Sequence, residues 1–181
     1  MTQAPLMDRI RITEDYDVPR VINGGWQLSA GHALERPLDL ADASRAFNRL
    51  IDMGFDTFDC ADIYTGVEDF FGGIIRERRK AGLRLPQIHT KFVPDLNDLA
   101  NVTPAYVENI ITRSLRRLGV ERLDAVQFHW WDYSVPGMVD VAGELVRLQE
   151  KGLIRLISTT NFNAVELRKL FDAGIPVATN Q

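Results

Sequence analysis

A chain of 181 residues that is 45% hydrophobic and 25% charged carries enough apolar material for one sizeable core, which excludes a disordered polypeptide and predicts a single domain over residues 1–181. The net charge is −4, and the cationic residues are dispersed apart from a short run at 76–80 that reads as a solvated helix face, so nucleic-acid and membrane-surface binding are not expected. A lone cysteine, Cys60, excludes an internal disulfide and argues against a cysteine-based zinc site, and with no signal-type segment or membrane-length apolar run the expectation is a cytoplasmic protein.

From about Val21 onward, short strand-like runs alternate with segments of helical periodicity, the signature of βα units on a parallel sheet. A first strand is predicted at 18–26, ending in Asn23-Gly24-Gly25-Trp26, where the glycines allow a positive φ, a close backbone approach to a ligand or a plain turn. A helix follows at 39–53, with Asp39 as N-cap, Ala43, Phe47, Leu50 and Ile51 on one face and Gly54 at its end. The second strand is expected at 55–58, a second helix at 68–79 closed by Gly82, and a third strand at 87–90 after Pro86. Thr103-Pro104 marks a helix start, an N-cap hydroxyl followed by proline, for a helix running to Gly119. A fourth strand at 124–128, a helix at 138–151 and a fifth strand at 153–157 come next. Asn163 and Glu166 approximate a capping box for a helix ending near Gly174, and residues 176–180 make a sixth strand.

Eight βα units usually need about 250 residues. The pattern therefore predicts an α/β fold of the (β/α)8 TIM-barrel type that stops after strand six, incomplete at the C-terminus. Unpaired backbone groups on the first and sixth strands would make the open sheet edges sites of self-association.

Three polar residues close successive strands: Asp59, Lys91 and His129, with Tyr64 five positions beyond the first. Asp59 to Lys91 is 32 positions, Lys91 to His129 is 38, and His129 to Asn161 is 32, each about one βα unit. Core packing does not explain such a return, because buried polar groups are costly to desolvate. Strand C-termini share one rim in a barrel, so these side chains are expected in one pocket. An ammonium stabilises a phenolate and a carboxylate holds the ammonium in place, which makes Tyr64, Lys91 and Asp59 a candidate proton relay. His129 would donate a hydrogen bond to a substrate carbonyl oxygen.

These residues sit in segments that resemble the aldo/keto reductase family. Phe58-Asp59-Cys60-Ala61-Asp62-Ile63-Tyr64 is similar to the family's Asp-x-Ala-x-x-Tyr, Thr90-Lys91 to its Thr-Lys strand end, and Phe128-His129-Trp130-Trp131-Asp132 to its His-x-x-Asp. Residues 155–162 resemble Arg-x-Ile-Gly-Val-Ser-Asn-Phe, with Ser158-Thr159-Thr160 in place of Gly-Val-Ser, and Asn180-Gln181 resembles the Asn-Gln pair. The resemblance implies reduction of a small aldehyde or ketone with NADPH, or NADH. Tyr64 would be the proton donor, Lys91 and Asp59 would tune it, and His129 would orient the carbonyl. Thr160, Asn161 and Gln181 would contact the cofactor, Asn161 and Gln181 through its carboxamide, and no metal is implied. The family's last βα units, which carry most of the pyrophosphate and adenosine contacts, have no counterpart in these residues.

Plainer readings stand beside these. Asp59 could be a turn or cap residue, and Lys91 a surface lysine or the Schiff-base nucleophile of a lyase. An inactive descendant or binding module would keep the same residues by inheritance. His89 shares strand parity with Lys91 and is expected as a hydrogen-bonded core histidine, Cys60 as a small buried thiol, and His32 as a solvated loop residue. Trp26, Trp130 and Trp131 are expected in loops near the rim, with Trp26 and Trp130 lining a pocket for an apolar or aromatic substrate.

Overall fold

The computed structural model describes residues 7–30 and 39–181. His32 lies outside the described residues. Two short strands, β1 (Arg9–Thr13) and β2 (Tyr16–Pro19), form an antiparallel hairpin. Then β3 (Asn23–Gly24), α1 (Leu40–Asp52), β4 (Thr57–Asp59), α2 (Val67–Lys80) and β5 (Gln87–Phe92) begin the alternation. It continues with α3 (Pro104–Leu118), β6 (Leu123–Phe128), α4 (Met138–Glu150), β7 (Ile154–Thr159), α5 (Ala164–Asp172) and β8 (Val177–Asn180). β3 to β8 lie side by side in chain order, every pair parallel, which is the α/β barrel-type arrangement the alternation predicts.

Period-two side-chain alternation gives each strand two different faces. In β5, Ile88 and Phe92 join the core shared with the helices, and Thr90 bonds to α2. His89 instead faces the inner side of the sheet, where it lines a cavity with Asp59 and Gln127. The outer layer is held by aromatic packing: Phe58 of β4 stacks on Phe71 of α2 at 5.3 Å between centroids, and Phe47 of α1 meets Phe58 edge-on at 5.0 Å.

Local capping sets the helix starts. Asp39 accepts from the backbone N–H groups of Ala41 and Asp42, and the Thr103 hydroxyl accepts from Tyr106 N–H with Pro104 in the first turn. Asn163 caps α5 through Val165 and Glu166 N–H. The Glu166 carboxylate pairs with Lys169 at 2.7 Å instead of completing a capping box.

The hairpin is the main departure from the expected elements. Residues 18–26 do not form one strand: Val18 belongs to β2, and β3 is only two residues long. Alternation of Ile10 with Ile12 and of Tyr16 with Val18 carried the signal. Tyr16 and Val18 pack on Ala125 and Leu156, which closes the sheet's inner face below the strand ends. The Arg155 guanidinium lies 4.6 Å over the Tyr16 ring, and Arg9 bridges Asp17 and the buried Asp56.

Two glycine and cation expectations are also corrected. Gly25 has φ −96°, so positive φ is not its reason. A Cβ there would stand 2.9 Å from Val67 Cγ1 and 3.1 Å from the Asp59 carbonyl, so the glycine permits close packing on α2. In the 76–80 run Arg78 is buried, donating to Asn48, Asp52 and the Arg84 carbonyl, so that face is only partly solvated.

Gly72 marks the closest helix contact, since a Cβ there would be 2.1 Å from the backbone oxygen of Arg117 in α3. Backbone cannot yield as a flexible side chain does. Gly72→Ala is expected to destabilise the protein by about 1–3 kcal/mol, as overpacking does, against the small gain alanine brings to an open helix position. Urea melts of the two proteins check this, and equal midpoints would show that α2 can shift freely.

Candidate active site

β4 ends at Asp59 and β5 at Phe92, and their parallel register brings Asp59 opposite His89, one strand step below Lys91. Lys91 and Asp59 therefore meet: Lys91 Nζ donates to Asp59 Oδ1 at 2.8 Å and to Oδ2 at 2.7 Å. It also donates to the Cys60 carbonyl at 3.0 Å. The two side chains are 8% and 13% exposed, so the pair stands largely out of water. Tyr64 Oη is 3.5 Å from Lys91 Nζ, the outer limit of a hydrogen bond, and the ammonium lies 5.1 Å from the Tyr64 ring centroid.

Gln127 of β6 is the residue that sequence reasoning missed here. Its amide donates to Asp59 Oδ1 at 2.7 Å, and Gln181 Nε2 reaches the same oxygen at 3.2 Å. An amide two positions before His129, inside an otherwise apolar strand, was the available signal.

His129 is 9% exposed, at the end of β6. Its Nδ1 lies 3.3 Å from the Thr160 carbonyl oxygen, an atom that can only accept, so this contact puts the ring proton on Nδ1. Nε2 is buried without a partner among the described residues. Burial lowers the His129 pKa below its ordinary value; the Thr160 contact opposes this and the Lys91 charge adds to it. The neutral ring therefore carries an unprotonated, buried Nε2 at neutral pH.

Tyr64, Lys91 and His129 wall one cavity of about 220 Å³ together with Ile63, Val93, Trp131, Thr160, Asn161 and Gln181. The three residues of the candidate relay and His129 thus converge on one rim, Asp59 through its bonds to Lys91. The tryptophans divide differently from the expectation. Trp130 is 1% exposed and packs on Phe128 at 5.8 Å, its Nε1 donating to the Val135 carbonyl, so it belongs to the core and not to a pocket. The physical reason is parity: one residue beyond inward-facing His129, the side chain points outward to the helices. Trp131 takes the wall position instead, edge-on to the His129 ring at 4.4 Å and anchored by Nε1 to the Pro94 carbonyl at 2.8 Å. Trp26 is 46% exposed, and it is not among the residues lining this cavity.

On the other side of the cavity Asn161 adopts φ 63°, a left-handed conformation that asparagine tolerates better than most residues. Its backbone N–H donates to the Gln181 carbonyl at 2.9 Å, and Tyr133 Oη donates to its carbonyl at 3.0 Å. The Asn161 side chain is exposed, and the Thr160 hydroxyl donates to Gln181 Oε1 at 3.2 Å. Asn161, Gln181, Thr160 and His129, two carboxamides, a hydroxyl and an imidazole, thus line the cavity. This donor and acceptor set is complementary to a planar carboxamide such as that of a nicotinamide, and the residues present fit that group.

Comparison with known proteins gives the site its family. The family model of the aldo/keto reductases matches residues 20–181. The chain belongs to the aldo/keto reductase family. Methylglyoxal reductase DkgA of Yersinia pestis is 29% identical over 184 residues, a match that covers 100% of this chain and 58% of that protein. Among solved structures, the glycerol dehydrogenase of Gluconobacter oxydans superposes with a TM-score of 0.76 at 28% identity, covering 96% of this chain and 54% of its own. The Bombyx mori aldo-keto reductase in complex with NADP gives a TM-score of 0.77 at 23% identity, with 97% and 57% covered, and supports the fold. The chain therefore spans between half and two thirds of the length of these relatives.

Other groups near this aldo/keto reductase site are shielded. Cys60 is fully buried, and burial pushes its thiol above the ordinary range, so it is no nucleophile. His89 Nε2 and the Tyr16 hydroxyl share a hydrogen bond of 2.9 Å, and burial pushes the His89 pKa down to about 4. Asp62 is pushed up to about 7, chiefly by burial and then by Glu68; the Val93 N–H, Arg113 and Arg117 oppose this without reversing it.

For His129 the expected outcome is a ring with nitrogen shifts of a protonated Nδ1 and a bare Nε2 at neutral pH, titrating below the ordinary imidazole value of about 6.5. Proton–nitrogen NMR across an acid titration reads both. A proton resident on Nε2 would contradict the tautomer assigned through Thr160.

Proposed function

We propose that the protein reduces a small aldehyde or ketone to the alcohol, using NADPH, or NADH, as hydride donor. The observation that carries this reading is the shared cavity walled by Tyr64, Lys91 and His129 together with Asn161 and Gln181. The relatives named as a methylglyoxal reductase and as an NADP complex agree with it.

Asn161, Gln181 and Thr160 would hold the nicotinamide end of the cofactor, which when bound supplies a hydride to the carbonyl carbon. The chain's own residues then handle the oxygen. Tyr64 gives its hydroxyl proton to the carbonyl oxygen, and the Lys91 ammonium, held by Asp59, stabilises the phenolate that remains. Gln127 keeps the Asp59 carboxylate in place. With its Nδ1 proton committed to Thr160, neutral His129 has no proton to offer on Nε2, so the donation to the carbonyl oxygen expected from the sequence is not made by this tautomer. Tyr64 is therefore the acid. Trp131 and Ile63 give the cavity its apolar wall.

A Schiff-base lyase fits less well. Lys91 Nζ already donates to both Asp59 oxygens and to the Cys60 carbonyl, and an ammonium has three protons and no lone pair to attack with.

In the full-length protein Tyr64→Phe is expected to lower turnover of a generic aldehyde by about 10²–10⁴-fold, the usual range for a lost general acid. Cofactor affinity, read by NADPH fluorescence titration, should stay nearly unchanged. Wild-type turnover in this variant would remove Tyr64 from the acid role.

For the 181-residue polypeptide taken alone we propose self-association through strand edges, because only one side of β3 and one side of β8 is paired among the described residues. Size-exclusion chromatography at rising concentration should show it, and a monomer at every concentration would refute it.

A further inference from the structure

Two carboxylates bracket Tyr64 in the chain, Asp62 two residues before it and Glu68 four after it, and the proposed reaction uses neither. Both are buried, 4% and 1% exposed. Asp62 Oδ1 accepts from the Val93 N–H at 3.1 Å, and the Asp62 N–H donates to the Lys91 carbonyl at 3.4 Å. Glu68 Oε1 accepts from the Thr90 hydroxyl at 2.7 Å. The partners of these carboxylates thus bracket Lys91, Thr90 one residue before it and Val93 two after it.

Both carboxylates are also tied to α3. Arg113 Nη2 donates to Asp62 Oδ2 at 3.1 Å. Arg117 Nη1 donates to the Asp62 carbonyl at 3.0 Å and to Glu68 Oε2 at 3.2 Å, spanning the segment that holds Tyr64. Mere attachment of α2 to α3 does not require this. That contact is already made where Gly72 meets the Arg117 backbone, and buried ion pairs stabilise a fold poorly compared with apolar packing. Meanwhile the loop's own bonds around Tyr64, its N–H to Ala61 and its carbonyl to Val67, are internal turns that do not fix its distance from β5.

We infer that Asp62 and Glu68 are positioning residues that set the geometry between Tyr64 and Lys91, each carboxylate being oriented from α3 by Arg113 or Arg117. The inference rests on the proton-donor role proposed for Tyr64. Its chemical content is that the phenol and the ammonium are registered through the residues on either side of them.

Thr90→Val removes one hydroxyl at a β-branched strand position, and Asp62→Asn removes one charge at nearly constant volume. In the full-length protein each is expected to lower kcat by up to about 100-fold with KM for a nitrobenzaldehyde nearly constant, the effect of misplacing a reacting group by about 1 Å. Thr90→Ser, which restores the hydroxyl, should recover kcat. In ring-labelled tyrosine NMR without cofactor, both variants should move the Tyr64 resonance, identified by its absence in Tyr64→Phe. Unchanged kcat and an unmoved resonance in Thr90→Val and Asp62→Asn, with only a lower Tm, would overturn the inference. Full turnover in Tyr64→Phe would instead overturn the acid reading, and the resonance would still decide whether the bracketing bonds place Tyr64. If Asp62→Asn does not fold, Thr90→Val alone decides.

Discussion

The ion pair between Lys91 and Asp59 is the constraint around which the rim is arranged. Desolvating two charges is expensive, and their attraction compensates only when the remaining protons and lone pairs are also satisfied. Here they are. Asp59 Oδ1 accepts from Lys91, Gln127 and Gln181, and the ammonium also donates to Asp59 Oδ2 and the Cys60 carbonyl, with Tyr64 Oη at the limit of a hydrogen bond. Removing one member would leave the other buried and unpaired, a loss of about 3–5 kcal/mol in comparable cases. The pair therefore joins β4, β5, β6 and the residue after β8 at one point, and the proposed chemistry borrows a contact that the fold already needs.

Below that point the inner face of the sheet carries a neutral histidine. His89, one residue pair down β5 from Lys91, is held neutral by burial and hydrogen-bonded to the Tyr16 hydroxyl. The hairpin that carries Tyr16 is pinned from outside by Arg155 and Arg9.

The cavity wall is made by loops, and each loop is tied to a neighbour. Trp131 bonds to Pro94 across two loops, Asn161 and Gln181 exchange a backbone hydrogen bond, and Tyr133 reaches the Asn161 carbonyl. The left-handed backbone at Asn161 is maintained by these contacts, which hold a conformation that most side chains avoid. Loops anchored in this way position polar groups on a rigid sheet, which is where small-molecule sites of α/β folds are usually built.

The alternation of strands and helices, the capping residues Asp39, Thr103 and Asn163, and the return of Asp59, Lys91 and His129 once per βα unit were legible in the chain, because periodicity and capping are local properties. The convergence of those residues followed from parallel strands sharing one rim. What depended on tertiary structure was which neighbour each group would find. The sequence by itself did not separate Trp130 from Trp131, since one step of side-chain parity sends the first into the core and leaves the second on the wall. It did not distinguish Arg78, buried against α1, from the exposed cations beside it, nor place the hairpin beneath the sheet. It also left the proton of His129 open, because only the Thr160 carbonyl, 31 residues away in the chain, decides which ring nitrogen carries it. Local order is written in spacing, whereas charge, tautomer and access are set by partners that only folding brings within reach.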